Sequence, residues 1–349
     1  MSAQPSSRAV SSVSPSRGFD KELAQLDAVS GAFKSGAQLD AGQIAYLRKS
    51  LSHRNNFLVS KAAKLVADAE LFALLPDTLA AYDRFFIDSA KTDPQCWAKN
   101  ALVKALVKLE HRQKDAYLRG LRHHQMEGTW GGVSDTAGAL RGACTHALVD
   151  CPGISDGDLL TILLDPLVDT DKTVRIEAAR AIGQVGGVSA ALILRLRALL
   201  GKAEPEPEVL GAVYSALLGV EGQPAIALVA AALKEGDDLA AEAAFALADL
   251  RTLEALAALL ARFHAGADSW FGSVLLSAIA LTRLPEAIDF LVALIARDAR
   301  EAPVAIEAIG RIAPNPELRA RVAQAVEQTG SPRLQQAFRQ HLPPQPECD

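Results

Sequence analysis

One polar segment, RHHQMEGTWGGVSDTAGALRG at residues 122–142, gathers the side chains best able to do chemistry: two histidines, a tryptophan, an aspartate and two arginines around a Gly-Gly pair. Arg119, Arg122, His123 and Arg141 are donors about a glycine-rich turn ahead of a predicted helix, an arrangement that collects an anion on backbone N–H groups and positive charge. Trp130, beside Gly131 and Gly132, offers a flat apolar face for stacking or for anchoring a partner. Asp135 is a lone acid. Each also has a plainer role. Asp135 or Thr136 can cap the next helix, Trp130 can cover a groove between helix pairs, and Arg141 can reach the acids of a neighbouring turn. Neither a metal nor a cofactor is expected. Cys144 and His146 are two apart on a predicted helix and point to different sides, and no spacing near Cys151, His123 or His124 resembles a zinc ligand pair.

A second set is a basic stripe, Lys104, Lys108 and Arg112, at i, i+4 and i+8 of a predicted helix. The ordinary fate of such a stripe is a solvated face; its functional reading is contact with phosphates or an acidic partner. It lies within the span Lys99–Arg122, which holds seven cations and two acids. Residues 1–155 carry 19 Lys and Arg against 15 Asp and Glu, residues 156–349 carry 17 against 26, and the whole chain is at −5. The acidic second half places a protein partner ahead of nucleic acid. G-x-S-x-G, P-loop, H-E-x-x-H and dinucleotide-binding motifs are all absent, which lowers the expectation of an enzyme without excluding one.

The elements that position these residues are predicted to be helices. Half of the 349 residues are hydrophobic but only 5% are aromatic, so the core is aliphatic, as in closely packed helices and unlike a β-sandwich. No apolar run is long enough for a membrane span. Residues 1–18 are rich in Ser and Pro and lack an apolar stretch, so they are expected to form a disordered tail and not a secretory signal. Four cysteines without C-x-x-C spacing read as free thiols of a reducing cytoplasm.

The segment TVRIEAARAIGQVGG (173–187) places Val174, Ala178, Ala181, Ile182 and Val185 on one helical stripe and ends at a double glycine. Related segments recur along the chain. Its Ala181 column becomes Leu65, Ala105, Ala147, Ala181, Ala216, Ala246, Ala280 and Ala308, at spacings of 40, 42, 34, 35, 30, 34 and 28 residues. A second helical pattern lies between these segments, and prolines at 94, 224, 285, 316 and 332 mark helix starts. Such pairs bury their apolar faces only by stacking, which predicts an all-α, α–α superhelix of about eight helical hairpins. It is expected as one solenoid over 19–342, with an N-terminal cap at 19–51, a C-terminal cap at 331–342 and a tail at 343–349. In this frame 113–125 is a first helix, 136–150 is the second, and MEGTWGGVSD (126–135) is the turn between them.

The stretch DTDKTVRIEAARAIG (169–183) closely resembles the HEAT repeat of the short bacterial type, with its VR-x-x-A-A-x-A-(I/L)-G second helix after an Asp-rich turn. The resemblance covers about residues 45–340, with looser matches elsewhere. It implies the solenoid fold and leaves function wide, because such repeats serve scaffolds, adaptors, phycobilin lyases and some DNA-repair enzymes. The expected function is a non-catalytic protein-interaction scaffold that uses the concave face and the 119–141 segment. The alternatives are nucleic-acid binding through the basic 99–122 segment and a small-molecule enzyme of the chromophore-lyase kind. The sequence leaves the partner's identity and the oligomeric state open.

Overall fold

The structure of the protein, a computed structural model, describes residues 17–129 and 131–343. The tails expected at 1–18 and 343–349 fall almost wholly outside the described residues, and so does Trp130. Among the described residues the chain is all-α apart from one small β-ribbon, and it divides into two compact units, Met1–Pro152 and Gly153–Asp349.

In the first unit the helices are α1 (Arg17–Lys34), α2 (Ala41–Leu51), α3 (Asn56–Asp68), α4 (Leu75–Arg84), α5 (Ser89–Thr92), α6 (Trp97–Lys108), α7 (Lys114–Leu121) and α8 (Gly138–Ala147). Strands β1 (Met126–Thr129) and β2 (Gly132–Asp135) lie between α7 and α8. Local chemistry sets the ends. Asp40 and Gln43 form a reciprocal capping box at α2, and the Asn55 side chain accepts the Leu58 N–H at the start of α3. Helix α3 packs on α6 and α6 on α8, while α2, α4 and α7 lie against this row.

The second unit repeats a hairpin. Its helices are α9 (Asp156–Leu167), α10 (Lys172–Val185), α11 (Gly187–Leu199), α12 (Pro207–Glu221), α13 (Gln223–Ala231) and α14 (Asp238–Leu250). They continue with α15 (Leu253–His264), α16 (Ser269–Thr282), α17 (Pro285–Ala296), α18 (Ala302–Arg311), α19 (Pro316–Thr329) and α20 (Pro332–His341). The even-numbered helices from α10 to α20 pack each on the next, and the odd-numbered ones pair with them, which is the stacking of an α-solenoid. Prolines stand at the first position of α17, α19 and α20, as expected, because a missing N–H there breaks no helical bond. Gly186 ends α10 at φ +70°, a backbone angle that a side chain disfavours.

The small-residue column has the packing role read from its recurrence. Leu65, Ala105, Ala147, Ala181, Ala246, Ala280 and Ala308 are all buried. Ala216 is half-buried and lies against Gly183 of the preceding repeat, where an added Cβ would come within 2.8 Å of the Ala216 methyl. Helices α10 and α12 therefore approach closely because both positions are small.

Three local expectations are corrected. Residues 126–135 are not a simple turn but an antiparallel ribbon, pairing Met126 with Asp135 and Thr129 with Gly132. Four paired residues on each side, with a short stretch between, is a hairpin pattern. Pro94 does not start a long helix. Gln95 and Cys96 follow it in the left-handed region, at φ +58° and +53°, and α6 begins only at Trp97. Helix α6 also ends at Lys108, and Glu110 at φ +54° turns the chain, so Arg112 lies beyond the face that carries Lys104 and Lys108.

Candidate functional site

Most donors and acids of the 119–141 segment are engaged inside the fold. The Asp135 carboxylate accepts the backbone N–H groups of Gln125 (2.9 Å) and Ala137 (3.0 Å) and the guanidinium of Arg141 (2.6 Å), and it lies 2.9 Å from His124 Nδ1. Burial pushes the Asp135 carboxyl up, but these four partners outweigh it and hold it well below the usual carboxylate range. Arg141 is buried and also donates to the His123 carbonyl. Arg119 pairs with Asp83 at 2.7 Å and lies over the Phe86 ring, while Arg122 is exposed. The His123 ring sits edge-on to Phe86, 3.1 Å from Gln125 Oε1, and burial lowers its basicity. The structure therefore gathers His123, Asp135 and Arg141 into one internal network, with Arg119 held apart against Asp83. Asp135 does not cap α8 in the usual position; it holds Ala137, the residue before the helix.

The cysteines are built into packing. Cys144 is buried 3.6 Å from the Tyr82 hydroxyl, and burial pushes its thiol up to about 12. Burial likewise moves Cys96 to about 11. Thiols held protonated in this way are poor nucleophiles and poor metal ligands near neutrality.

The hairpin reaches back to the turn that starts α6. Glu127 of β1 accepts the Gln95 N–H through both carboxylate oxygens at 3.0 Å, and the Gln125 side-chain amide donates to the Asp93 carbonyl at 2.9 Å and also to Glu127. The same turn is gripped from α3, where Asn56 donates to Asp93 Oδ1 (3.0 Å) and to the Pro94 carbonyl (3.2 Å). Asp93 in turn accepts the N–H groups of Ala98 and Lys99, satisfying the first turn of α6. Its charge meets Lys99 Nζ at 3.0 Å, with neither side chain exposed, and Lys99 also donates to the Phe85 carbonyl. A fully buried ion pair with every partner supplied is a rigid joint. Two consecutive left-handed residues cost conformational energy that this set of bonds offsets.

The turn delivers Trp97. Its indole is 47% exposed and stands 5.7 Å from the Phe57 ring, the two forming one end of a groove of about 560 Å³ between α3 and α6. Along the walls run Ser60, Lys61 and Lys64 from α3 and Asn100, Ala101, Lys104 and Lys108 from α6, with Asp68 as the one acid in the lining. Lys61 pairs with Asp27 at 2.8 Å and lies over Phe57. Lys64, Lys104 and Lys108 are exposed, and among the described residues none of them has an ion-pair or hydrogen-bond partner. The Asn100 side-chain oxygen is buried with no hydrogen-bond partner among the described residues.

Of the groove, the sequence reading picked out only Lys104 and Lys108; it missed Phe57, Lys61, Lys64, Trp97 and Asn100. The signal was present in the 40-residue repeat. Shifting by 40 carries Phe57 to Trp97, Ser60 to Asn100 and Lys64 to Lys104, so two successive repeats place an aromatic and a lysine seven residues apart on the same face. No protein-family model matches the chain, and no curated protein matches it in sequence.

Proposed function

We propose that this protein is a binding module of the scaffold kind and that its first unit recognises a chain-like polyanion in the groove between α3 and α6. The observation that carries this reading is the placement of Lys64, Lys104 and Lys108, exposed and without partners among the described residues, beside a half-exposed tryptophan in a groove with one acid in its lining. Several other cations of this unit are drawn into pairs, Arg48 with Asp77, Arg119 with Asp83, Lys99 with Asp93 and Arg141 with Asp135; what sets Lys64, Lys104 and Lys108 apart is that they line one groove together beside Trp97. Lysines left without acids keep their attraction for a ligand's charge instead of neutralising the protein's own. Binding by helical faces, expected from the repeat pattern, is retained; its location moves from the 119–141 segment to α3 and α6, and the hairpin supports the groove from behind its first turn.

Retention on a sulfated polyanion resin tests the proposal. The full chain is expected to be held at low salt and released by added salt, because displaced counterions make such binding salt-sensitive. Changing Lys64, Lys104 and Lys108 together to Gln should move elution to markedly lower salt, with thermal stability altered by no more than about 0.5 kcal/mol since all three are exposed. The control is Arg112→Gln, which lies off the groove and should elute with the parent protein. Co-elution of the triple variant with the parent would refute the groove as the site.

A further inference from the structure

Resting on that reading, we infer that the polyanion is a single-stranded nucleic acid, held with a base stacked on Trp97 and its phosphates along the lysines of both walls. Three features lead from polyanion to this class. Trp97 is half-exposed at one end of the groove, with the Phe57 ring tilted 55° against it, and any base has a π-face to lay on the indole. The cations are lysines on both walls and include no arginine. Lysine is a compact point charge that accepts phosphates in many orientations, whereas recognition of carboxylates favours the planar arginine fork. Lys104 and Lys108, one helical turn apart, lie about 6 Å from each other along α6, so successive charges of a linear chain meet successive ammonium groups.

A duplex does not fit this arrangement. Helices α3 and α6 are packed in contact, with axes of such pairs about 8–10 Å apart, and the groove between them is a furrow of side-chain depth. Bases inside a duplex have their faces covered by their neighbours, so Trp97 has nothing to stack on; an unpaired strand presents them. A polypeptide of acidic residues answers the lysines but brings no aromatic ring to lay on the tryptophan.

The test is a titration of the full chain with a 12-mer of deoxythymidine, a duplex of the same length and polyglutamate, read by tryptophan fluorescence and by anisotropy of labelled oligonucleotide. The single strand is expected to quench fluorescence, with the quench missing from Trp97→Phe. Trp97→Ala should weaken binding roughly 5- to 100-fold, as loss of one stacked base does, while Trp97→Phe retains most of the affinity. The slope of log affinity against log salt should be about −2, from three phosphate contacts, and should approach zero when Lys64, Lys104 and Lys108 are Gln. Melting curves for both Trp97 variants check that the fold is kept, and the phenylalanine variant decides the matter if the alanine variant unfolds. Polyglutamate or duplex binding as tightly as the single strand, or a Trp97→Ala variant that binds like the parent, would overturn the single-strand assignment and leave the polyanion groove standing. No binding by any of the three, together with failure on the sulfated resin, would remove both.

Discussion

The ribbon at 126–135 with its flanks and the groove between α3 and α6 draw on similar side chains, cations and aromatics with a few polar groups, yet treat them in opposite ways. Around the ribbon most polar groups find a partner inside the fold, Arg141 and His124 on Asp135, Gln125 on Glu127 and Arg119 on Asp83, with Arg122 left exposed. In the groove Lys64, Lys104 and Lys108 stand exposed without partners among the described residues, next to Trp97. The lesson is that the chemical richness of a segment says less about binding than whether its groups are already satisfied. A satisfied network contributes stability and rigidity; an unsatisfied one on an exposed face retains free energy for a ligand.

If that contrast holds, substitutions on the ribbon side should register in stability and those in the groove in binding. The largest effect is expected from Asp93→Ala. It strands the buried ammonium of Lys99, leaves the Ala98 and Lys99 N–H groups without their acceptor and loosens the strained turn, at a cost of about 3–5 kcal/mol in chemical denaturation. A loss below 1 kcal/mol would mean that the turn is not the joint described.

Arg141→Ala should come next, at about 2–3 kcal/mol, because it leaves a largely buried Asp135 without its guanidinium. The same centre sets an acid response. The Asp135 carboxyl is held below its ordinary value in the folded state, so its contribution is fully present above the unfolded value, near pH 4, and is lost as the pH falls from there through the folded value. Asp135→Asn should therefore lower stability at neutral pH and flatten the decline between about pH 4 and pH 2, measured by denaturation at fixed pH values. An acid limb unchanged by the substitution would count against the network.

The smallest effect sharpens the boundary between the two regions. Glu127→Ala removes the acceptor for the Gln95 N–H, an exposed bond worth about 1 kcal/mol, yet it frees the turn that aims Trp97. Polyanion affinity should fall several-fold although Glu127 does not line the groove. Unchanged affinity would make the ribbon a stabilising clasp alone.

Much of the helical framework was legible in the residues themselves. Apolar spacing, N-terminal prolines and terminal glycines are local signals, and the recurring alanine column announced close packing before any coordinate was known. The turn beginning at Pro94 misled because proline is equally at home before a break, and the left-handed pair Gln95–Cys96 has no local marker of the glycine kind. The ribbon was hidden by four-residue strands whose pairing rests on each other. Trp97 was not singled out, since nothing nearby in sequence says which side of α6 is left uncovered.

The amino-acid sequence by itself determined the helical class and the places where helices approach closely, because those depend on periodicity within about a dozen residues and on side-chain volume. Tertiary structure alone decided which polar groups are consumed and which are left over. The deciding bonds join residues far apart in the chain, Asn56 to Asp93, Asp83 to Arg119 and Gln95 to Glu127. A charge acquires or lacks a partner only when packed helices bring such distant positions within about 3 Å, and that distance is a property of the packing.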